Sequence, residues 1–106
     1  MKKIYIPRHI HVQIEKGDTG ALVATLPSFD AVTEASDLSE LFFNVNDLIY
    51  SIFDIPKRLQ KNIQYIPTKE SQLTMIRIQQ APKEQFKEKI EIQRYNRETS
   101  PLIHLT

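Results

Sequence analysis

The sequence predicts a small α+β fold, in which a mostly antiparallel sheet of three or four strands packs against one main amphipathic helix (β-β-β-α-β). Residues 9–15 alternate apolar and polar side chains, which is typical of a half-buried strand. Both glycines of the chain lie in the following turn, 17–20, where a β-hairpin needs positive φ angles. Residues 37–53 then carry apolar side chains at helical spacing.

Two short strands follow the glycine turn. The second strand is predicted at residues 21–26, and Pro27 ends it because proline has no N–H to donate to a neighbouring strand. The third strand is predicted at residues 31–35, directly before the helix.

The main helix has a clear start and a clear buried face. Ser36 or Asp37 can accept the free N–H groups of the first turn, and Glu40 stands where a capping box places an acidic residue. Ile55-Pro56 is predicted to end the helix or to kink it, since the residue before proline avoids helical angles. The apolar stripe consists of Leu38, Leu41, Phe42, Val45, Leu48, Ile49, Ile52 and Phe53.

The chain after this helix gives weaker signals. Residues 56–64 are predicted to add a helical turn or two, with Asp54 as cap and Pro56 near the first helical position. The pattern LTMIRIQ at 73–79 predicts a strand.

The last part of the chain is predicted to be an extension of the domain. A domain at 1–80 is expected, followed by a C-terminal extension at 81–106 that is a β-hairpin or an arm swapped between copies. Within the extension, 83–88 is predicted to be a short helix, and the alternation around Ile90 and Ile92 predicts a strand with 101–105 as its partner.

Length and composition exclude several classes of protein. The chain has 106 residues, a net charge of +1 and no cysteine, so it has room for one core and cannot form disulfides or thiolate metal sites. No stretch is apolar enough for a secretory signal or a membrane span. A soluble protein of the cytoplasm is expected, with no membrane partner.

The sequence offers no catalytic or metal-binding set. His9 and His11 share one face of the first strand, but two histidines fall short of a zinc site and are expected to be solvated. Asp37, Glu40 and Asp47 are expected to face water or a partner. The motifs of phosphate loops, serine hydrolases and zinc proteases are missing from the sequence. We therefore expect no enzyme activity, no metal and no cofactor.

The most specific surface feature is a pair of aromatic residues on the far side of the helix from its apolar stripe. Phe43 and Tyr50 lie nearly in line, with Asn46 and Asp47 beside them. They are either ordinary exposed residues or the anchors of an interface, and a segment of the tail is a further candidate to cover them. Our hypothesis is a partner-binding surface formed by Phe43, Asn46, Asp47 and Tyr50.

Charge is distributed unevenly along the chain. Six acidic residues and no Lys or Arg fall between Gly20 and Pro56, which suits contact with a basic protein. The alternative is a nucleic-acid-binding domain that uses the basic residues at 57–61 (Lys57, Arg58, Lys61) and 94–97 (Arg94, Arg97). These groups are small, so nucleic acid is the less favoured partner. The acidic residues are Asp30, Glu34, Asp37, Glu40, Asp47 and Asp54.

The order strand, glycine turn, strand, short strand and capped helix resembles the HicB-like antitoxin superfamily, in particular its short branch without a DNA-binding domain. The residues that carry the resemblance are GALVAT at 20–25 and TEASDLSEL at 33–41, followed by the helix through Leu48 and Ile49. In place of the Pro-Gly pair usual before the third strand, this chain has SFDA at 28–31.

The resemblance implies a partner class. Longer relatives neutralise HicA, a small basic toxin that cleaves RNA, by direct contact, and they tend to self-associate. It therefore implies a protein-binding module with a HicA-like toxin as partner, assembled as a homodimer. Operator binding is not implied, because residues 80–106 match no repressor domain.

Overall fold

The computed structural model of the chain describes residues 6–17, 19–80 and 86–96. The fold is α+β, with a curled antiparallel sheet of five strands in the order β3-β2-β1-β5-β4. The elements are β1 (His9–Lys16), β2 (Leu22–Leu26), β3 (Ala31–Ala35), α1 (Leu38–Ile52), α2 (Lys57–Gln60), β4 (Ile63–Pro67), α3 (Lys69–Gln80) and β5 (Phe86–Asn96).

The first three strands confirm the predicted hairpin and third strand. In β1, Ile10, Val12 and Ile14 are buried, whereas His9 and His11 are exposed. The hairpin is closed by the Gly17 N–H, which donates to the Ala21 carbonyl at 2.9 Å. Gly20 has a φ of +88°, so a side chain at this position would strain the backbone.

Helix α1 confirms the predicted cap and apolar stripe. The side chain of Asp37 accepts a hydrogen bond from the backbone N–H of Glu40 at 2.8 Å. Leu38, Leu41, Val45 and Ile49 are buried in the core, and the other four residues of the stripe pack around them. The helix is therefore held by its burial on the inner face of the sheet.

Replacing Asp37 by alanine tests the cap. We expect Asp37→Ala to lower the free energy of unfolding by about 1 kcal/mol, because it leaves an N–H of the first turn unpaired. Urea denaturation measures the change. Asp37→Asn keeps an accepting oxygen and should cost less; equal losses for the two variants would contradict the capping role.

The end of α1 corrects the role predicted for Asp54. Asp54 has a left-handed φ of +52°, its N–H donates to the Ser51 carbonyl, and the Ile55 N–H donates to the Tyr50 carbonyl. These two bonds form the Schellman motif that ends helices, with aspartate in the place that glycine usually takes. Asp54 therefore ends α1, and the N-cap of α2 is Pro56.

The segment after Pro56 differs from the prediction. Only Lys57–Gln60 is helical, and Ile63–Pro67 forms β4, which the sequence analysis took in part as helix. Tyr65 supplies the buried side of this strand, and Pro67 ends it. The sheet consequently has five strands.

The predicted strand at 73–79 is wrong, because these residues lie in α3. The side-chain oxygen of Thr68 accepts from the Ser71 N–H at 3.2 Å and starts the helix. Its buried positions, Ser71 and Ile78, follow the helical repeat, with Met75 partly buried between them. Leu73 and Ile76 are exposed, so their hydrophobicity misled the strand prediction.

The C-terminal segment supplies an interior strand of the sheet. β5 pairs with β1 along its length and with β4 near its end, where Asn96 lies opposite Ile63. The strand predicted around Ile90 and Ile92 is confirmed, and both side chains are in the core. Residues 86–88, predicted as helix, belong to β5. Residues 83–85 and the strand predicted at 101–105 lie outside the described residues.

Candidate protein-binding groove

The outer side of α1 borders a groove of about 840 Å³ that also touches α2, β4 and α3. All four residues of the predicted partner-binding surface line it. The lining residues are Leu38, Ser39, Phe42, Phe43, Asn46, Asp47, Tyr50, Lys57, Gln60, Lys61, Gln64, Tyr65, Ile66, Pro67 and Met75. The contributions of β4 and α3 do not follow from the sequence pattern, because neither element was predicted.

Phe43 and Asp47 are the two predicted residues that are free to contact another molecule. The side chain of Phe43 is 74% exposed, the largest value among the exposed large apolar side chains of the described residues. Asp47 is exposed one helical turn further along α1. Together they present an apolar ring and a negative charge at the edge of the groove.

Asn46 does not belong to an exposed surface, which corrects its predicted position. The residue is only 7% exposed. Its amide group donates to the carbonyl of Tyr65 at 3.0 Å and accepts from the Tyr65 N–H at 2.7 Å. It also donates to the Phe42 carbonyl at 2.9 Å. Asn46 thus pairs with β4 as the backbone of a further strand would.

Tyr50 is half-buried and also bonds to β4. Its hydroxyl donates to the Ile63 carbonyl at 2.6 Å, and the Gln60 carbonyl lies at 3.2 Å from the same oxygen. Burial raises the pKa of Tyr50, and the carboxylate of Asp47 raises it further. The hydroxyl is therefore neutral and able to donate at ordinary pH.

These side chains close the outer edge of β4. An edge strand exposes a row of unpaired backbone groups to other chains. In β4 the Ile63 carbonyl is bonded by Tyr50, both backbone groups of Tyr65 by Asn46, and the Pro67 carbonyl by Gln72 at 3.3 Å. Pro67 has no N–H to leave unpaired. The floor of the groove therefore offers side chains and not a free strand edge.

Tyr65 joins this edge to the segment that precedes the central strand β1. Its ring is 1% exposed, and its hydroxyl donates to the Pro7 carbonyl at 2.6 Å. Burial raises the pKa of Tyr65 to about 12, against a lowering effect of the neighbouring Arg94.

The acidic residues between Gly20 and Pro56 form a negative surface. All six are exposed. The ion pairs found among the described residues join His9 with Glu91 at 3.9 Å and Arg77 with Glu88 at 3.7 Å, and none includes one of the six. Their charges are therefore available to a partner of opposite sign.

The predicted basic groups are only partly available. Lys57, Arg58 and Lys61 are exposed at and just after α2. Arg94 is partly buried and its guanidinium donates to the Ile6 carbonyl at 3.1 Å, so it is engaged within the chain. Arg97 lies outside the described residues.

Neither a metal-binding cluster nor a membrane-spanning helix is found in the described residues. Residues 6–17, 19–80 and 86–96 contain no group of three or more His, Cys, Asp or Glu side chains placed to hold a metal ion. In the same ranges, no helix has the length and apolarity needed to cross a membrane.

Comparison with known proteins adds no assignment. No protein-family model matches the chain, and neither a curated protein nor a solved structure matches it.

Proposed function

We propose that this chain is a non-catalytic protein-binding module of the HicB-like antitoxin type, which neutralises a small basic RNA-cleaving protein by direct contact. The partner class is that of a HicA-like toxin, and the binding surface is the groove beside α1. We propose further that the protein is a homodimer, as the resemblance implies, and that it works in the cytoplasm. Light scattering measures the mass of the dimer independently of the partner.

The observation that supports this proposal most strongly is an exposed aromatic anchor beside unpaired negative charge. Burying Phe43 against a partner contributes on the order of 2 kcal/mol, and the six exposed carboxylates attract and orient a basic protein before contact. Since Asn46 and Tyr50 hold the floor of the groove in place, Phe43 and Asp47 are the residues proposed to touch the partner.

The decisive experiment uses the protein encoded beside this chain in its genome. We expect a short basic protein that stops cell growth when expressed alone and no longer does so when this chain is co-expressed. The two purified proteins should form a stable complex. Absence of a basic neighbour, or of any complex with it, would contradict the antitoxin role.

Phe43→Ala tests the groove as the contact surface. We expect binding of the partner to weaken by about tenfold to a hundredfold, because an anchor worth roughly 2 kcal/mol is lost. Thermal unfolding should stay unchanged, since the ring is exposed. Leu73→Ala, which removes an exposed apolar side chain outside the groove, is the matched control. Equal affinities for the two variants would show that the partner binds elsewhere.

One observation favours a second candidate, nucleic-acid binding through residues 57–61. Lys57 and Lys61 line the groove, and Arg58 is exposed next to them. This candidate predicts RNA binding that falls steeply as salt concentration rises and is lost in Lys57→Ala with Lys61→Ala. A gel-shift assay at low salt decides between it and the protein partner.

A further inference from the structure

Side chains of α1 form more hydrogen bonds with the backbone at one edge of the sheet than at the other. Asn46 and Tyr50 bond three backbone groups of the β4 edge, those of Tyr65 and the Ile63 carbonyl. At the edge of β3, one side chain of the described residues reaches the backbone: Asn44 donates to the Glu34 carbonyl at 3.0 Å. Asn44 and Asn46 point to opposite sides of the helix, since successive residues turn by about 100°. α1 therefore lies between the two edges of the curled sheet and secures one of them.

The part of β3 that α1 leaves open is centred on Val32. Glu34 directs its carbonyl away from β2, and because backbone groups alternate along a strand, Val32 directs its N–H and carbonyl the same way. No hydrogen bond to these two groups is found among the described residues. Val32 is 61% exposed, so another chain can reach this edge.

The charges around this edge favour a basic strand over a second copy of the chain. Glu34 follows Val32 within β3, and Asp30 lies in the turn just before the strand, with a left-handed φ of +49°. Both residues are exposed. If a second copy paired antiparallel through Val32, Asp30 of each copy would come close to Glu34 of the other. Like charges close together destabilise strand pairing. A strand with Lys or Arg at these positions would instead gain from both carboxylates.

We propose that the open edge of β3 binds an extended basic segment of the partner protein by strand addition, with Val32 as the central backbone contact. This inference rests on the proposed function for the existence of a basic protein partner, and it adds the mode of contact. The new strand would hydrogen-bond to both backbone groups of Val32 and place basic side chains next to Asp30 and Glu34.

The test uses the whole chain and a synthetic peptide of alternating lysine and threonine. We expect the peptide to shift the NMR signals of β3 and to protect the Val32 amide from hydrogen exchange. A peptide with glutamate in place of lysine should do neither. Binding should weaken with salt, because the charges at this edge are exposed.

A matched pair of variants distinguishes the contribution of the Val32 backbone to peptide binding from that of the Val32 side chain. Val32→Pro removes the outward N–H without touching the bonds to β2, a position where edge strands tolerate proline; we expect at least about a tenfold loss of peptide affinity. Val32→Thr keeps the N–H and should bind as the natural chain does. Thermal unfolding of both variants reports whether the fold is intact.

Any one of the following results would overturn the inference. Equal affinity of the two variants would exclude strand addition, and shifts confined to Phe43 and its neighbours would place the peptide in the groove. Protection of Val32 that rises with protein concentration without peptide would identify a second copy as the occupant. If the natural partner binds but Val32→Pro leaves its affinity unchanged, the proposed function stands and the strand-addition mode fails.

Discussion

Asn46→Ala is expected to lower the free energy of unfolding by about 2–4 kcal/mol, because it leaves buried backbone groups of Tyr65 without hydrogen-bond partners. The loss should be visible in urea denaturation. It should also promote self-association, since the variant exposes the edge of β4 to other chains.

Asn44→Ala is the matched control for this result. Asn44 lies on the same helix and makes one exposed hydrogen bond to a strand edge, at β3, so its loss should cost less than about 1 kcal/mol. Asn46→Asp keeps the oxygen that accepts from Tyr65 but cannot donate to its carbonyl, and should also destabilise. Equal costs for Asn46→Ala and Asn44→Ala would contradict the role of Asn46 as the partner of β4.

We expect the free energy of unfolding to fall at alkaline pH because of Tyr65. Its pKa is raised to about 12 in the folded chain, against about 10 when unfolded. The folded protein therefore keeps a proton that the unfolded chain releases, so the stabilisation is complete below pH 10 and is lost as pH rises towards 12. A shift of this size corresponds to about 2–3 kcal/mol.

Tyr65→Phe isolates this contribution. At pH 8 we expect a loss of about 1 kcal/mol, because the bond to the Pro7 carbonyl is removed. Between pH 10 and 12 the variant should lose less stability than the natural chain, since no buried hydroxyl is left to ionise.

Tyr95→Phe is the control, because Tyr95 is on β5 and its hydroxyl accepts from the side chain of Gln93. Denaturation curves recorded across this pH range compare all three proteins. If the natural chain and the Tyr65→Phe variant lost stability equally, the pKa of Tyr65 would be the same in the folded and the unfolded chain, which would contradict this prediction.

Local patterns determined much of the fold. Period-two alternation in β1, the glycine turn and the Asp37 cap each act over a few residues, so they can be read without tertiary information. The same holds for the acidic stretch and for Phe43, whose exposed position follows from its place opposite the apolar stripe of α1.

The failed predictions lie where local patterns are ambiguous. In α3, exposed Leu73 and Ile76 hid the helical repeat of its buried residues, and in β4 a five-residue strand is too short to outweigh a neighbouring helical turn. The left-handed backbone at Asp54 was missed because glycine usually occupies that position.

By itself, the sequence determined an α+β chain with a capped helix, an acidic surface and an exposed aromatic ring. Only the tertiary structure decided that Asn46 and Tyr50 close one sheet edge while Val32 leaves the other open. The physical reason is that a polar side chain on a helix can hydrogen-bond equally well to water or to a backbone group. Which of the two it meets depends on how the sheet curls around the helix.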